Sequence, residues 1–204
     1  SCVVISSSDN GDLLFYSDGG RVWNKDHNLM AGSIDDGVSF FSTQQGVLVV
    51  KSSTKNNHYY LFSLESAPSL DQDTKGRLYI SEIDMEKNGG LGEVLSTKLI
   101  GDNFTEQMVA KSHPCGGVWM ILHERGNNTY VAIHFIDDQI IKIVKTNLGS
   151  VQDSNNNDFR KFIGSFHLAN NNVLVNLNFS GNFEACRFNE LTGKLNDLIS
   201  IDNN

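Results

Sequence analysis

The sequence predicts an all-β fold: a WD40-like β-propeller of four-stranded antiparallel blades, present as a partial propeller of about four blades. Three observations predict it. A strand pattern recurs, with Leu13-Leu14-Phe15-Tyr16, Tyr59-Tyr60-Leu61-Phe62, Val118-Trp119-Met120-Ile121 and Val173-Leu174-Val175-Asn176 beginning 46, 59 and 55 residues apart. A repeat of that length built from short strands marks an array of similar units. Turn formers are abundant, with 18 glycines and the runs Asn155-Asn156-Asn157 and Asn170-Asn171-Asn172; both residue types tolerate positive φ in tight connections. No segment places apolar residues at i, i+3, i+4 and i+7 over three turns, so helix is expected to be nearly absent.

The elements follow in order. In the first unit, Cys2–Ser6 pairs with Asp12–Tyr16 across a turn holding Asn10-Gly11, the strongest short hairpin signal. Asp18-Gly19-Gly20 turns into Arg21–Asn24, and a polar loop fills 25–42. In the second unit, Gly46–Val50 is a continuous apolar run, suited to an innermost strand covered on both faces. Tyr59–Leu64, Gly76–Met85 and Glu93–Ile100 follow, the last after the Gly-rich turn Lys87–Gly92. The third unit holds Gln107–Lys111, Val118–His123, Asn127–Ile136 and Gln139–Lys145. Alternation puts Val131, Ile133 and Phe135 on one face, and Tyr130 and His134 on the other. The fourth holds Phe162–Leu168, Val173–Phe179, Asn182–Asn189 and, after Thr192-Gly193-Lys194, Leu195–Ile201. The blades are thus 1–32 (partial), 43–101, 104–148 and 159–204, in a single region spanning 1–204. A two-sheet sandwich would explain the alternation equally well, but not the register of the repeats.

Composition narrows the partners. A formal net charge of −8 argues against nucleic acid, which needs a basic face to displace counterions, and against anionic lipid. No run of eighteen apolar residues spans a membrane. Cys2, Cys115 and Cys186 lack metal-ligand spacing and read as small buried hydrophobes; a Cys2–Cys186 or Cys115–Cys186 bridge is the alternative in an exported protein. The chain opens with Ser1-Cys2-Val3-Val4-Ile5, already a strand, so it is expected to begin inside a larger precursor.

Few residues carry chemistry. His113, His123 and His134 fall in one unit, with strands of a hairpin between them. They are candidate ligand-binding residues, set against structural imidazoles and, more remotely, a metal site; no thiolate or carboxylate is aimed at them, and neither metal nor cofactor is expected. Trp23 is a further binding candidate, since an indole face stacks on a sugar ring; packing between blades is the competing role for Trp23 and Trp119. Asp9-Asn10-Gly11-Asp12, Asp35-Asp36-Gly37 and Asp71-Gln72-Asp73 resemble calcium-loop fragments without the later bidentate acid. Asn88-Gly89-Gly90-Leu91-Gly92 precedes a strand, so the helix-terminus mechanism of phosphate binding does not apply. No nucleophile elbow or paired acids mark an enzyme, and no catalytic residue is assigned.

A set of motifs also carries a family resemblance. Gly11-Asp12-Leu13-Leu14-Phe15-Tyr16-Ser17-Asp18-Gly19, Val22-Trp23-Asn24 and His27-Asn28-Leu29-Met30 stand first. Ser42-Thr43-Gln44-Gln45-Gly46, Asn88–Val94, His113, Trp119 and His123 follow, and Phe188–Leu195 closes the series. In that order they resemble the N-terminal propeller-like region of large Bacteroidetes surface proteins that carry a gliding-motility-associated or type IX secretion sorting domain. The resemblance implies export and an extracellular or outer-membrane surface location. The expectation is therefore a non-enzymatic binding or adhesion module contacting protein or polysaccharide through the loops 25–42, 66–75 and 150–158. A carbohydrate-active propeller enzyme, or a structural subunit of a larger surface machine or filament, are the alternatives.

Overall fold

In a computed structural model, residues 2–7, 10–33, 43–66, 75–152 and 159–201 are described. They form fifteen strands in four antiparallel meanders, with two short 3₁₀ turns at Asn88–Gly90 and Phe159–Lys161. Sheet 1 holds β1 (Val3–Ser6), β2 (Leu13–Ser17) and β3 (Val22–Asn24). Sheet 2 holds β4 (Val47–Lys51), β5 (His58–Leu64), β6 (Leu78–Asp84) and β7 (Glu93–Gly101). Sheet 3 holds β8 (Val109–Ser112), β9 (Val118–His123), β10 (Thr129–Ile136) and β11 (Gln139–Asn147). Sheet 4 holds β12 (Gly164–Leu168), β13 (Val173–Asn178), β14 (Phe183–Phe188) and β15 (Leu195–Ile201).

Every strand read from the sequence is present, and strands adjacent in sequence pair within each sheet. Sheet 1 has a remnant of a fourth strand, a single bridge from Leu29 to Trp23. Its exit runs beside sheet 2, where the Val94 N–H donates to the Ala31 carbonyl at 2.8 Å. Gly32 follows with φ 72°, and a Cβ there would sit 2.1 Å from the Val94 carbonyl oxygen, so only glycine allows the approach.

Consecutive sheets pack face to face, and three apolar cores lie between them. Phe15, Val22 and Met30 of sheet 1 meet Tyr59, Leu61 and Ile83 of sheet 2. The other face of sheet 2, with Tyr60, Phe62 and Ile80, meets Met120, Val131, Ile133 and Phe135 of sheet 3. The reverse of sheet 3, with Trp119, Ile121, Tyr130 and Ala132, meets Phe166, Leu174 and Phe188 of sheet 4. The face division of β10 thus matches its alternation. It also explains why β5, β9 and β10 read as apolar on both faces: each lies in a sheet buried on both sides. Trp119 is fully buried in the last core, its Nε1–H donating to the Glu190 carbonyl at 2.7 Å.

The cysteines depart from expectation. All three are free; Cys186 is buried, whereas Cys2 and Cys115 are exposed. Neither bridge considered above forms. Only Cys186 behaves as a core hydrophobe, because it alone lies on a strand face turned toward a neighbouring sheet.

Candidate functional site

The meanders divide the connections between two ends. Hairpin turns within the first and last strand pairs of each sheet lie at one end. The described parts of the middle turns, and the described ends of the segments leading from sheet to sheet, lie at the other. His113 and His134 belong to the first end and His123 to the second. On β9 and β10, Trp119 lies opposite His134 and His123 opposite Tyr130. Four residues of extended chain, about 13 Å, therefore separate the two places.

At the hairpin end, the structure brings His113 and His134 together. Their rings stack with centroids 4.1 Å apart, beside Trp119. His134 Nε2 is 2.9 Å from the Gly116 carbonyl, and the Cys115 N–H donates to His113 Nδ1. Burial, then the neighbouring His134, holds the His113 pKa below its usual value. A cleft of about 220 Å³ opens at the same end between sheets 2 and 3, lined by Val50, Tyr60, Phe62, Val118, Phe135 and Asp137 among others. Trp23 lies elsewhere, on the outward face of sheet 1, stacked on Tyr16 with centroids 5.3 Å apart.

The linker end carries the denser polar chemistry. Here the segments entering sheets 2, 3 and 4 bind one another. The Gln45 N–H donates to the Glu106 carbonyl at 3.2 Å, and the Glu106 N–H to the Phe162 carbonyl at 2.9 Å. The Gln44 N–H donates to Glu106 Oε2 at 3.0 Å. Thr43, Thr105, Glu106, Gln107, His123 and Gln152 are all buried. Gly164 admits this approach: a Cβ on it would meet the Leu177 carbonyl at 2.3 Å and Gln107 Nε2 at 2.6 Å.

A chain of side-chain hydrogen bonds continues from this floor between sheets 3 and 4. The Thr105 hydroxyl donates to Gln107 Oε1, and Gln107 Nε2 reaches Asn176 Oδ1 at 3.5 Å. Asn176 Nδ2 donates to the Tyr130 hydroxyl at 2.9 Å, which donates to Glu184 Oε2 at 3.0 Å. Glu184 Oε1 accepts the Ser150 N–H at 2.5 Å. Burial, reinforced by the Glu184 charge, pushes the Tyr130 hydroxyl pKa far up, so it stays a proton donor to that carboxylate. At the rim, burial pushes the Glu65 carboxyl up, but the Arg77 guanidinium and the Lys75 and Arg77 N–H groups outweigh it and hold it below its usual value.

His123 stands edge-on to Tyr130, ring centroids 4.6 Å apart. Its Nδ1 is 2.7 Å from the Glu124 carbonyl, so Nδ1 carries the proton and donates. Burial pushes its pKa down to about 4, leaving a neutral ring at physiological pH. Among the described residues Nε2 is then a buried acceptor with no partner, and the Gln152 side chain likewise has an unpartnered acceptor, Oε1, and an unpartnered donor, Nε2. Buried polar atoms are ordinarily satisfied by protein or ordered water, so these two fully buried side chains keep unused hydrogen-bonding capacity beneath this end.

Of the four residues singled out in sequence, His123 alone belongs to this end. The pattern that would have revealed the floor is Thr43-Gln44-Gln45 and Thr105-Glu106-Gln107, each ending two residues before the first strand of a sheet. Among the described residues, no group of three or more His, Cys, Asp or Glu side chains is placed to hold a metal ion. The fragments Asp35-Asp36-Gly37 and Asp71-Gln72-Asp73, and Asp9, lie outside the described residues. No helix among the described residues is long and apolar enough to cross a membrane. No protein-family model, curated protein or solved structure matches the chain.

Proposed function

We propose that this chain is a non-enzymatic binding module of an exported bacterial surface protein, built on a β-propeller-like scaffold, and that it holds a polysaccharide at its linker end. One observation carries the reading. Ser33 and Thr43, Ser66 and Lys75, and Gln152, which border the undescribed spans 34–42, 67–74 and 153–158 of the segments singled out by composition, lie at this end, whereas residues 25–28 of the segment 25–42 form the last turn of sheet 1 at the hairpin end. A rigid scaffold with variable segments gathered over one face is the usual arrangement of a recognition surface.

Further features support it. The first strands of sheets 1 and 2 lie side by side, as do those of sheets 3 and 4, and Gln45 at the start of sheet 2 reaches β12 of sheet 4. First strands grouped around a shared axis are the propeller arrangement. The floor beneath this end is a network of buried amides and hydroxyls bonded to one another, which holds the scaffold rigid under the segments above it. Net charge −8 favours a neutral or cationic glycan over an anionic one. Glu65, Glu124 and Glu184 are each tied to Arg77, Lys145 and Tyr130 respectively, which suits holding a ligand better than moving its protons.

Binding to a panel of neutral and charged polysaccharides tests the reading. Replacing 34–42 with a short Gly-Ser linker is expected to lower affinity for the bound glycan about tenfold or more, with melting temperature unchanged. Unaltered affinity would reject the site, and turnover of any glycan would reject the non-enzymatic reading. Labelling intact cells with an antibody to the chain tests the surface location.

A further inference from the structure

The cleft at the hairpin end lies between sheets 2 and 3. Val50 of β4 and Phe62 of β5 line one wall, and Val118 of β9 and Phe135 of β10 the other. The Phe62 and Phe135 rings meet edge to face, centroids 5.1 Å apart. The turn between β4 and β5 is fastened to the opposite sheet at the mouth. The Ser52 hydroxyl and the Ser53 N–H donate to Asp137 Oδ1 at 2.7 and 3.2 Å, and the Thr54 hydroxyl donates to Asp137 Oδ2. Lys98 pairs with Asp138 across the same two sheets. The sheets are thus tied together beside a space that their side chains do not fill.

Tyr60 also lines this space, only 1% exposed, and its hydroxyl makes no hydrogen bond. Lys55 Nζ, 2.6 Å from Glu82 Oε1, stands near that hydroxyl without the geometry of a bond to it. Burial, then the Glu82 charge, raises the Tyr60 pKa, so the hydroxyl keeps its proton and can both donate and accept. A buried water is well held only by about two to four polar partners, and the inner walls of the cleft are aliphatic and aromatic. A water held by one hydroxyl among such walls is readily displaced by a molecule that makes the same hydrogen bond and covers the apolar surface.

Size and charge define that molecule. The cleft, about 220 Å³, exceeds the roughly 150 Å³ that holds benzene in an apolar protein cavity, so one aromatic ring with a small substituent fits. Its lining includes one cation, Lys51, and one anion, Asp137, and the β4–β5 turn already occupies the Asp137 carboxylate, which favours an uncharged ligand. We propose that this cleft binds a small neutral aromatic alcohol, a phenol-like ring seated among Val50, Phe62, Val118 and Phe135 with its hydroxyl bonded to that of Tyr60. The site is independent of the polysaccharide reading, which concerns the opposite end of the strands.

Amide chemical shifts of the 204-residue chain, titrated with phenol and with toluene, test it. Phenol is expected to shift the amides of Val50, Tyr60, Val118 and Phe135 saturably, with a Kd of about 1 mM or tighter, and to bind about tenfold more tightly than toluene. Tyr60→Phe breaks no existing hydrogen bond and is expected to lower phenol affinity to that of toluene while leaving toluene affinity unchanged. Val118→Trp fills the cleft and is expected to abolish binding of both; circular dichroism checks that the strands persist, and Val50→Phe replaces it if it fails to fold. Wild-type chain that shows no saturable shifts well above that concentration holds water only in the cleft, and overturns the proposal. Shifts centred elsewhere, phenol binding that survives the filled cleft, or a phenol preference that persists in Tyr60→Phe overturn it equally.

Discussion

The side-chain amide of Gln45 takes both backbone groups of Phe166, 121 residues away: Nε2 donates to the carbonyl at 2.9 Å, and Oε1 accepts the N–H at 2.6 Å. An amide used this way imitates a neighbouring strand. It caps the free edge of β12, where an unpaired strand edge otherwise invites wrong pairing. It also ties the entry of sheet 2 to sheet 4 across the sheet between them. Gln107 instead reaches Asn176 side chain to side chain, its Nε2 donating to Oδ1 at 3.5 Å.

Gln45→Leu removes both bonds and leaves two backbone groups of β12 poorly satisfied. Unfolding free energy is expected to fall by about 1–3 kcal/mol. Gln45→Glu keeps the acceptor but loses the donor and sets a carboxylate against the Phe166 carbonyl, so it should be at least as damaging. Denaturant melts of the two variants check this, and a loss too small to measure would remove the edge-capping role.

Acid should destabilise the fold through His123. Its pKa of about 4 in the folded chain lies below the unfolded value of about 6.5. Between those values the unfolded chain binds a proton that the native chain does not, so stability falls as pH drops from about 6.5 to 4. The full effect is on the order of 3 kcal/mol. His113, also shifted down, acts in the same direction. Chemical denaturation at stepped pH on wild type, His123→Gln and His113→Asn separates them, and His123→Gln is expected to flatten most of the slope.

Tyr130→Phe deletes the hydroxyl joining Asn176 to Glu184. The buried carboxylate then retains the Ser150 N–H and Asn176 contacts. A loss of about 1–3 kcal/mol is expected, with a smaller loss in the Tyr130→Phe, Glu184→Gln double variant than the two singles sum to. Strict additivity in that double-mutant cycle would show that the two groups do not act together.

Thiol accessibility is expected to split two to one. Cys2 and Cys115 are exposed, while Cys186 is buried with its pKa pushed up to about 12 by burial and then by Glu184. A maleimide or aromatic disulfide reagent should titrate two thiols in the native chain and the third only on unfolding. Fast labelling of Cys186 would mean that the core between sheets 3 and 4 opens readily.

Much of the architecture was legible in the residues. Asn10-Gly11 and Thr192-Gly193 announced hairpins, and the alternation of β10 assigned Val131, Ile133 and Phe135 to one core and Tyr130 to the other. The site was far less legible. His113 and His134 meet because a hairpin folds them onto one end, whereas His123, equally conspicuous in sequence, is carried to the opposite end by the length of β9. Gln45 and Gln107 carry a signal only as the ends of the paired triplets Thr43-Gln44-Gln45 and Thr105-Glu106-Gln107; neither triplet names its partner, which lies on strands far along the chain.

Strand identity and hairpin position are set by periodicity and turn chemistry, which act over a few residues, and the sequence alone determined them. Only the tertiary structure decided which sheet faces are covered and which stay open. β9 and β13 both read as apolar runs, yet the first has a neighbour on each side and the second on one. The same holds for the polar floor: burial and hydrogen-bond partnership are properties of what lies across space, and the chain must close over 121 residues before Gln45 can find Phe166.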